Sequence, residues 1–190
     1  VQPLSKAQML KVEYLHHLMA ERLQGTHSVR NGGPTRVKLG FVDQTTFGEV
    51  VDSLWSTCHT YQFELTPPGA ACILDYALPL RNEILKQLGI DRPVGDAPVT
   101  EEERRLFTVI ARQDLAILEQ TWGQIEPRNV RDAEIEQDKE ALDIVSRDDT
   151  VILVAFQYTL GETERSLINV VYPLSVFAPV LDKLDALEIV

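Results

Sequence analysis

The sequence predicts an α/β fold: a three-layer α/β/α sandwich with helices on both sides of an antiparallel-rich sheet and an internal pseudo-two-fold duplication. Two observations carry that prediction. ACILDYALPLRNEILKQL, from Ala71 to Leu88, is echoed by LINVVYPLSVFAPVLDKL, from Leu167 to Leu184; at an offset of 96 residues Tyr76 falls on Tyr172, Leu78 on Leu174, Ile84 on Val180 and Leu85 on Leu181. Just upstream, YQFEL from Tyr61 to Leu65 matches FQYTL from Phe156 to Leu160 at an offset of 95. Each echo reads as an apolar strand, Cys72 to Tyr76 or Leu167 to Tyr172, ending where Pro79 or Pro173 can open a helix with its preset φ.

Taken in order, Ser5 with Gln8 three residues on forms a capping box. Leu10, Tyr14, Leu15, Leu18 and Met19 give the first helix an apolar stripe before Gly25 stops it. Thr26 to Thr35, holding Gly32, Gly33 and Pro34, is then loop. Val37, Leu39 and Phe41 alternate with Lys38 and Gly40, the period of a half-buried strand. Thr45 or Thr46 caps a short helix through Leu54, with Phe47, Val50, Val51 and Leu54 on one side. A strand over residues 57–65, the turn Thr66-Pro67-Pro68-Gly69, a strand over 70–76 and a helix over 79–88 complete half one, residues 5–89. Residues 90–99, with Pro93, Gly95 and Pro98, are the linker.

Half two, residues 100–187, opens on Thr100 and Glu103, a second capping box, with Glu101 and Glu102 placed favourably near the helix N-terminus. Phe107, Ala111, Leu115, Leu118 and Trp122 form the buried stripe of this long helix, and Gly123 ends it. A polar strand around Val130 to Glu136, a short helix around Lys139 to Val145 and the apolar strand Val151 to Leu160 lead into the echo segment.

With 190 residues the chain fits one domain with one sizeable core. A net charge of -11, and no Lys/Arg cluster longer than Arg104-Arg105, argue against nucleic acid or anionic lipid as partners. No apolar run approaches the ~20 residues of a membrane helix, so the chain reads as soluble, without membrane insertion. If Leu65 faces Ala70 across the Pro-Pro-Gly turn, Cys72 faces Phe63, and Cys58 lies ~17 Å further along on the opposite face. A disulfide does not fit that geometry. Two unpaired thiols suit a reducing cytoplasm and small apolar burial.

Candidate chemistry is sparse. His16 and His17 are sequence neighbours that cannot share a helix face, His27 and His59 stand apart, and no metal-ligand spacing occurs, so the histidines read as packed or surface side chains. Asp132, Glu134, Glu136 and Asp138 repeat with period two, the pattern of a solvated strand face that discourages edge pairing. Asp114 interrupts the apolar side of the long helix; it reads as sitting at the stripe's edge in water, with a buried acid as the other reading. No phosphate-binding loop, nucleophile elbow or dinucleotide fingerprint is present, and no cofactor is expected.

The pieces together resemble the FliM family, the middle domain of the bacterial flagellar motor switch protein, related to the CheC-type chemotaxis phosphatases. RVKLGFVDQTTFGEVVDSL, from Arg36 to Leu54, is similar to that family's strand and following short helix. ACILDYALPLRNEILKQLG is similar to its strand leading to the helix before the partner-binding loop, and TEEERRLFTVIARQDLAILEQTW to the long helix opening half two. The resemblance implies a CheC-like domain that does no chemistry: a scaffold of the switch ring, peripheral to the cytoplasmic face of the inner membrane, that couples chemotaxis signalling to rotation. It implies contacts with a FliG-like rotor protein and with neighbouring FliM copies. A FliN-like protein and phosphorylated CheY would engage only through an N-terminal peptide and a C-terminal domain outside these residues.

The stretch corresponding to the family's FliG-binding loop is Gly89, Ile90, Asp91, Arg92, Pro93, Val94 and Gly95. The family's Gly-Gly-x-Gly keeps only Gly89 here, which leaves open a divergent partner, weak binding or none. A phosphatase acting on phosphorylated CheY is the second reading, and it needs Glu and Asn three residues apart on a helix. The only such pair, Glu126 and Asn129, brackets Pro127, which suits a helix interior poorly. A same-fold member of another assembly is the third.

Overall fold

Ser5 and Gln8 cap the first helix reciprocally: Ser5 Oγ accepts from the Gln8 N–H at 3.1 Å, and Gln8 Oε1 accepts from the Ser5 N–H at 2.8 Å. The computed structural model, which describes residues 2–160 and 166–190, carries this helix, α1 (Lys6–Asn31), straight through Gly25. It ends at Gly32, whose left-handed φ of 63° lets its N–H reach the Ser28 carbonyl at 3.1 Å. Thr26 to Asn31, expected as loop, are therefore helical. A mid-helix glycine costs about 1 kcal/mol; the extra turn offsets that by seating His27 in the core against Asp114 and Tyr158. The buried stripe is also rotated from the expected one. It runs Val12, Leu15, His16, Met19, Ala20, Leu23 and His27, while Leu10 faces solvent.

Among the described residues six strands, β1 (Thr35–Thr46), β2 (Thr57–Thr66), β3 (Ala70–Tyr76), β4 (Asn129–Asp138), β5 (Thr150–Leu160) and β6 (Ser166–Pro173), form one antiparallel sheet in the order β1-β5-β6-β3-β2-β4. Exchanging each strand of half one with its counterpart in half two reverses that order, which is the signature of a two-fold repeat. The pseudo-axis passes between β3 and β6, where Leu74 stands opposite Val170, the position that the offset of 96 assigns to it. The first hairpin has the expected register, Leu65 opposite Ala70 and Phe63 opposite Cys72. In the second, Val154 stands opposite Val170 as Tyr61 stands opposite Leu74. The sheet thus matches Val154, not Phe156, to Tyr61, and a two-residue slip of this kind keeps every side chain on its own face.

The two outer layers are unequal. Helices α1, α3 (Leu78–Gln87), α4 (Glu101–Trp122) and α5 (Leu181–Asp185) cover one face, burying Phe107, Trp122, Tyr172 and Phe177 in the main core. Among the described residues, the other face carries only α2 (Phe47–Ser53) and the segment after β4, which pack Phe47, Val50, Val51 and Leu142 onto Ile73, Val151 and Val171. Cys58 belongs to the thin side and Cys72 to the thick side, the opposition that the hairpin geometry predicts.

Three further elements differ from expectation. Lys139 to Val145 is a single 3-10 turn, Lys139–Ala141, followed by irregular chain, because Asp138 and the buried Leu142 hold it to the sheet. Pro173 ends β6 rather than opening a helix, and Pro179 splits the next segment into two 3-10 turns before α5, where α3 is continuous. Phe41 does not join Val37 and Leu39 in the main core: a bulge at Gly40 turns it to the opposite face, 47% exposed.

Candidate partner-binding site

The stretch Gly89 to Gly95 begins as the C-terminal cap of α3. The Gly89 N–H donates to the Lys86 carbonyl at 3.0 Å and the Ile90 N–H to the Leu85 carbonyl at 3.1 Å, the two bonds of a Schellman motif. Gly89 sits at φ 90°, where a side chain would be strained. Buried Val94 and half-buried Ile90 then pin the loop to the core, leaving Asp91, Arg92, Pro93 and Gly95 in solvent.

Two polar clamps fix its shape. Arg92 donates from Nε and Nη2 to the two carboxylate oxygens of Glu103, each at 2.6 Å, and Glu103 Oε1 also accepts from the Thr100 N–H at 2.9 Å. One carboxylate therefore both caps α4 and ties down the loop. The Arg92 bonds, with those from Thr100, hold the Glu103 carboxyl down to about 2. On the other side Arg81, fully buried, donates from Nη2 to the Gly95 carbonyl at 3.0 Å, and Asn82 Nδ2 donates to the same oxygen at 2.8 Å. Between the loop and α3 lies an open cleft of about 440 Å³, walled by Asn82, Glu83, Lys86, Asp91, Arg92 and Pro93. The arrangement presents a rigid, mixed-charge knob and cleft. Nothing in it positions a nucleophile against a base.

The remaining sequence candidates scatter. His16 bonds the Val12 carbonyl at 2.7 Å and the Tyr172 hydroxyl at 2.8 Å, and His59 packs against the Phe107 ring at 4.1 Å between centroids. Burial lowers His16 to about 4 and His59 to about 3, so both are neutral core side chains at pH 7. Asp114 is not at a wet edge. It is 1% exposed and accepts hydrogen bonds from His27 Nε2 at 2.7 Å and from the Tyr76 hydroxyl. Its place seven residues after Phe107 and four before Leu118 lies on the buried stripe, a spacing that signals burial where hydrophobicity does not.

Glu126 and Asn129 do not share a helix. Glu126 lies in the turn after α4, accepting from Lys183 Nζ at 3.1 Å, and Asn129 begins β4. The period-two carboxylates lie along β4, an edge strand of the sheet, and Glu136 bonds back to the N–H groups of Gln137 and Asp138. Among the described residues no group of three or more His, Cys, Asp or Glu side chains could hold a metal ion, and no helix is long and apolar enough to cross a membrane.

The profile of the family described as "Flagellar motor switch protein FliM" matches residues 5–188. The chain belongs to the FliM family. The FliM of Treponema pallidum (strain Nichols) is 22% identical over 185 residues, 96% of this chain but 54% of that protein, so the chain spans about half the length of that relative. Among solved structures, the FliM middle domain from H. pylori superimposes with a TM-score of 0.86 at 24% identity, covering 95% of this chain and 99% of that one. FliM in the FliG–FliM complex from H. pylori gives a TM-score of 0.83 at 23% identity, covering 97% and 100%. The duplicated, unequal sandwich described above is therefore the fold of FliM middle domains.

Proposed function

We propose that this FliM-family chain is a non-catalytic scaffold of the flagellar motor switch, docking a FliG-like rotor protein through Gly89 to Gly95. The observation that carries this reading is the doubly clamped loop, placed between α3 and α4 of a FliM fold. A pre-shaped loop loses little conformational entropy on binding. The relative of the same fold that is described as a FliG–FliM complex supplies the partner class. In the same proposal, neighbouring copies assemble side by side at the cytoplasmic face of the inner membrane. Phosphorylated CheY and a FliN-like protein act through segments beyond these residues. A phosphatase role is disfavoured by the placement of Glu126 and Asn129 off any helix.

Site-directed cross-linking tests it. Cys58 and Cys72 are buried and their thiols are pushed up by burial, to about 11 for Cys58, so a Pro93→Cys variant carries the one readily reactive thiol. Incubated with its cognate FliG and a short bifunctional reagent, Pro93→Cys forms a cross-linked heterodimer, while a Cys placed at Gln124 does not. Equal yields at both positions would remove the loop from the interface. In parallel, the chain leaves the dephosphorylation rate of CheY unchanged; acceleration would restore the enzyme reading.

A further inference from the structure

The thin outer layer leaves part of the sheet uncovered beside α2, and a groove of about 400 Å³ opens there. Its walls are apolar, with Leu54, Ile73, Leu153 and Val171 among the lining residues. At its margin stand two large aromatic side chains in solvent, Phe41 at 47% and Trp55 at 53% exposure. Phe41 is there because of the bulge at Gly40. A Cβ on Gly40 would lie 3.2 Å from the Ala155 carbonyl, so glycine permits the close approach that turns the aromatic ring out of the main core. An exposed aromatic held by a dedicated bulge at an apolar groove is costly to keep unless something covers it.

The charged groups of the groove have one sign. Asp43, Glu49 and Asp75 line it, and among the described residues no Lys, Arg or His does. Of the cations around it, Arg147 pairs with Asp52 at 2.8 Å and Lys139 donates to the Leu54 carbonyl at 3.2 Å. Asp75 is 3% exposed and is held by the Thr60 hydroxyl at 2.7 Å and by Asn169 Nδ2 at 3.2 Å. Among the described residues no cation pairs with it. A buried carboxylate with neutral partners only, at an apolar groove, is the electrostatic complement of an incoming cation.

We infer that this groove docks a short segment of a partner protein presenting a large apolar side chain next to a lysine or arginine. The apolar side chain seats against Phe41, Leu153 and Ile73. The cation lies over the three carboxylates and the face of Trp55, where aromatic and acidic attraction add. A second copy of this chain is a poor occupant, because a net charge of -11 opposes delivery of another copy to an acidic surface. The groove lies on the face of the sheet away from α4 and the loop clamp, so the inference stands independently of the FliG reading.

Selection from a phage-displayed library of random dodecapeptides tests it, using the chain as bait and a Phe41→Ser/Trp55→Ser variant as counter-bait. Both positions are exposed, so the variant folds, as its thermal melt verifies. The expected peptides carry Lys or Arg beside an aromatic or large aliphatic residue. Their affinity by calorimetry drops about tenfold or more on the double variant and on Asp43→Asn/Glu49→Gln. Enriched peptides without a basic residue, or peptides that bind all three proteins equally, overturn the inference.

Discussion

Arg92 and Glu103 meet as a two-pronged fork, both N···O distances 2.6 Å, joining the start of the inter-half segment to the first turn of α4. Arg92 comes from the loop and Glu103 from a helix cap, so helix start and loop shape depend on a single carboxylate. Loosening that fork by Arg92→Ala raises hydrogen exchange at the amides of Asp91 to Gly95 while leaving the strands of the sheet protected. Arg92→Lys behaves like the alanine variant, since a point charge cannot make two parallel bonds.

Gly89→Ala tests the other end of the loop. The added methyl meets no atom within 4 Å, so the cost is that of φ 90° alone. A left-handed conformation costs a non-glycine residue roughly 1–2 kcal/mol, and urea denaturation reads that loss directly. A neutral substitution would mean that the α3 cap is not needed to set the loop.

Stability depends on pH in two opposing directions. His16 and His59, lowered by burial from 6.5 to about 4 and about 3, stabilise the fold above 6.5, and that stability is lost as pH falls below it. Glu103, lowered from 4.5 to about 2, adds to the acid loss below 4.5. Asp75 acts the other way. Burial raises it from 3.8 to about 6, so its favourable contribution is present below 3.8 and disappears as pH rises through 6. Denaturation curves of Asp75→Asn therefore gain on the parent between pH 4 and pH 7, by about 2 kcal/mol. His59→Phe flattens the loss of stability between pH 6.5 and pH 4.

Asp114→Ala removes the acceptor for both His27 and Tyr76 in the core. Leaving two buried donors without a partner costs about 2–4 kcal/mol. Asp114→Asn keeps the shape and one acceptor, so it costs less. The order of the two melting temperatures checks the assignment; equal values would show that water reaches the site.

Much of the architecture was legible from local pattern. The two capping boxes and the register of the first hairpin depend on residues close in sequence, and they stand as the sequence implied; the two-fold echo holds at β3 and β6 but slips by two residues between β2 and β5. What was not legible depends on distant partners. Gly25 is an end signal overridden because His27 meets Asp114, 87 residues away. Phe41 alternates correctly with Leu39 until the close packing of Gly40 on Ala155 shifts the register by one. Pro179 has no counterpart in α3, so the echo could not foretell the broken helix. For the site, Gly89 to Gly95 came from resemblance, and the clamps that shape it, Arg92 on Glu103 and Arg81 on Gly95, had no signature in spacing.

The most direct test of the scaffold reading is the affinity of the chain for its cognate FliG, measured by calorimetry with residues 89–95 intact and with them replaced by a Gly-Ser heptapeptide. The account predicts a loss of about tenfold or more on replacement, with a cooperative melt retained. An unchanged affinity in the replaced, folded protein would contradict it.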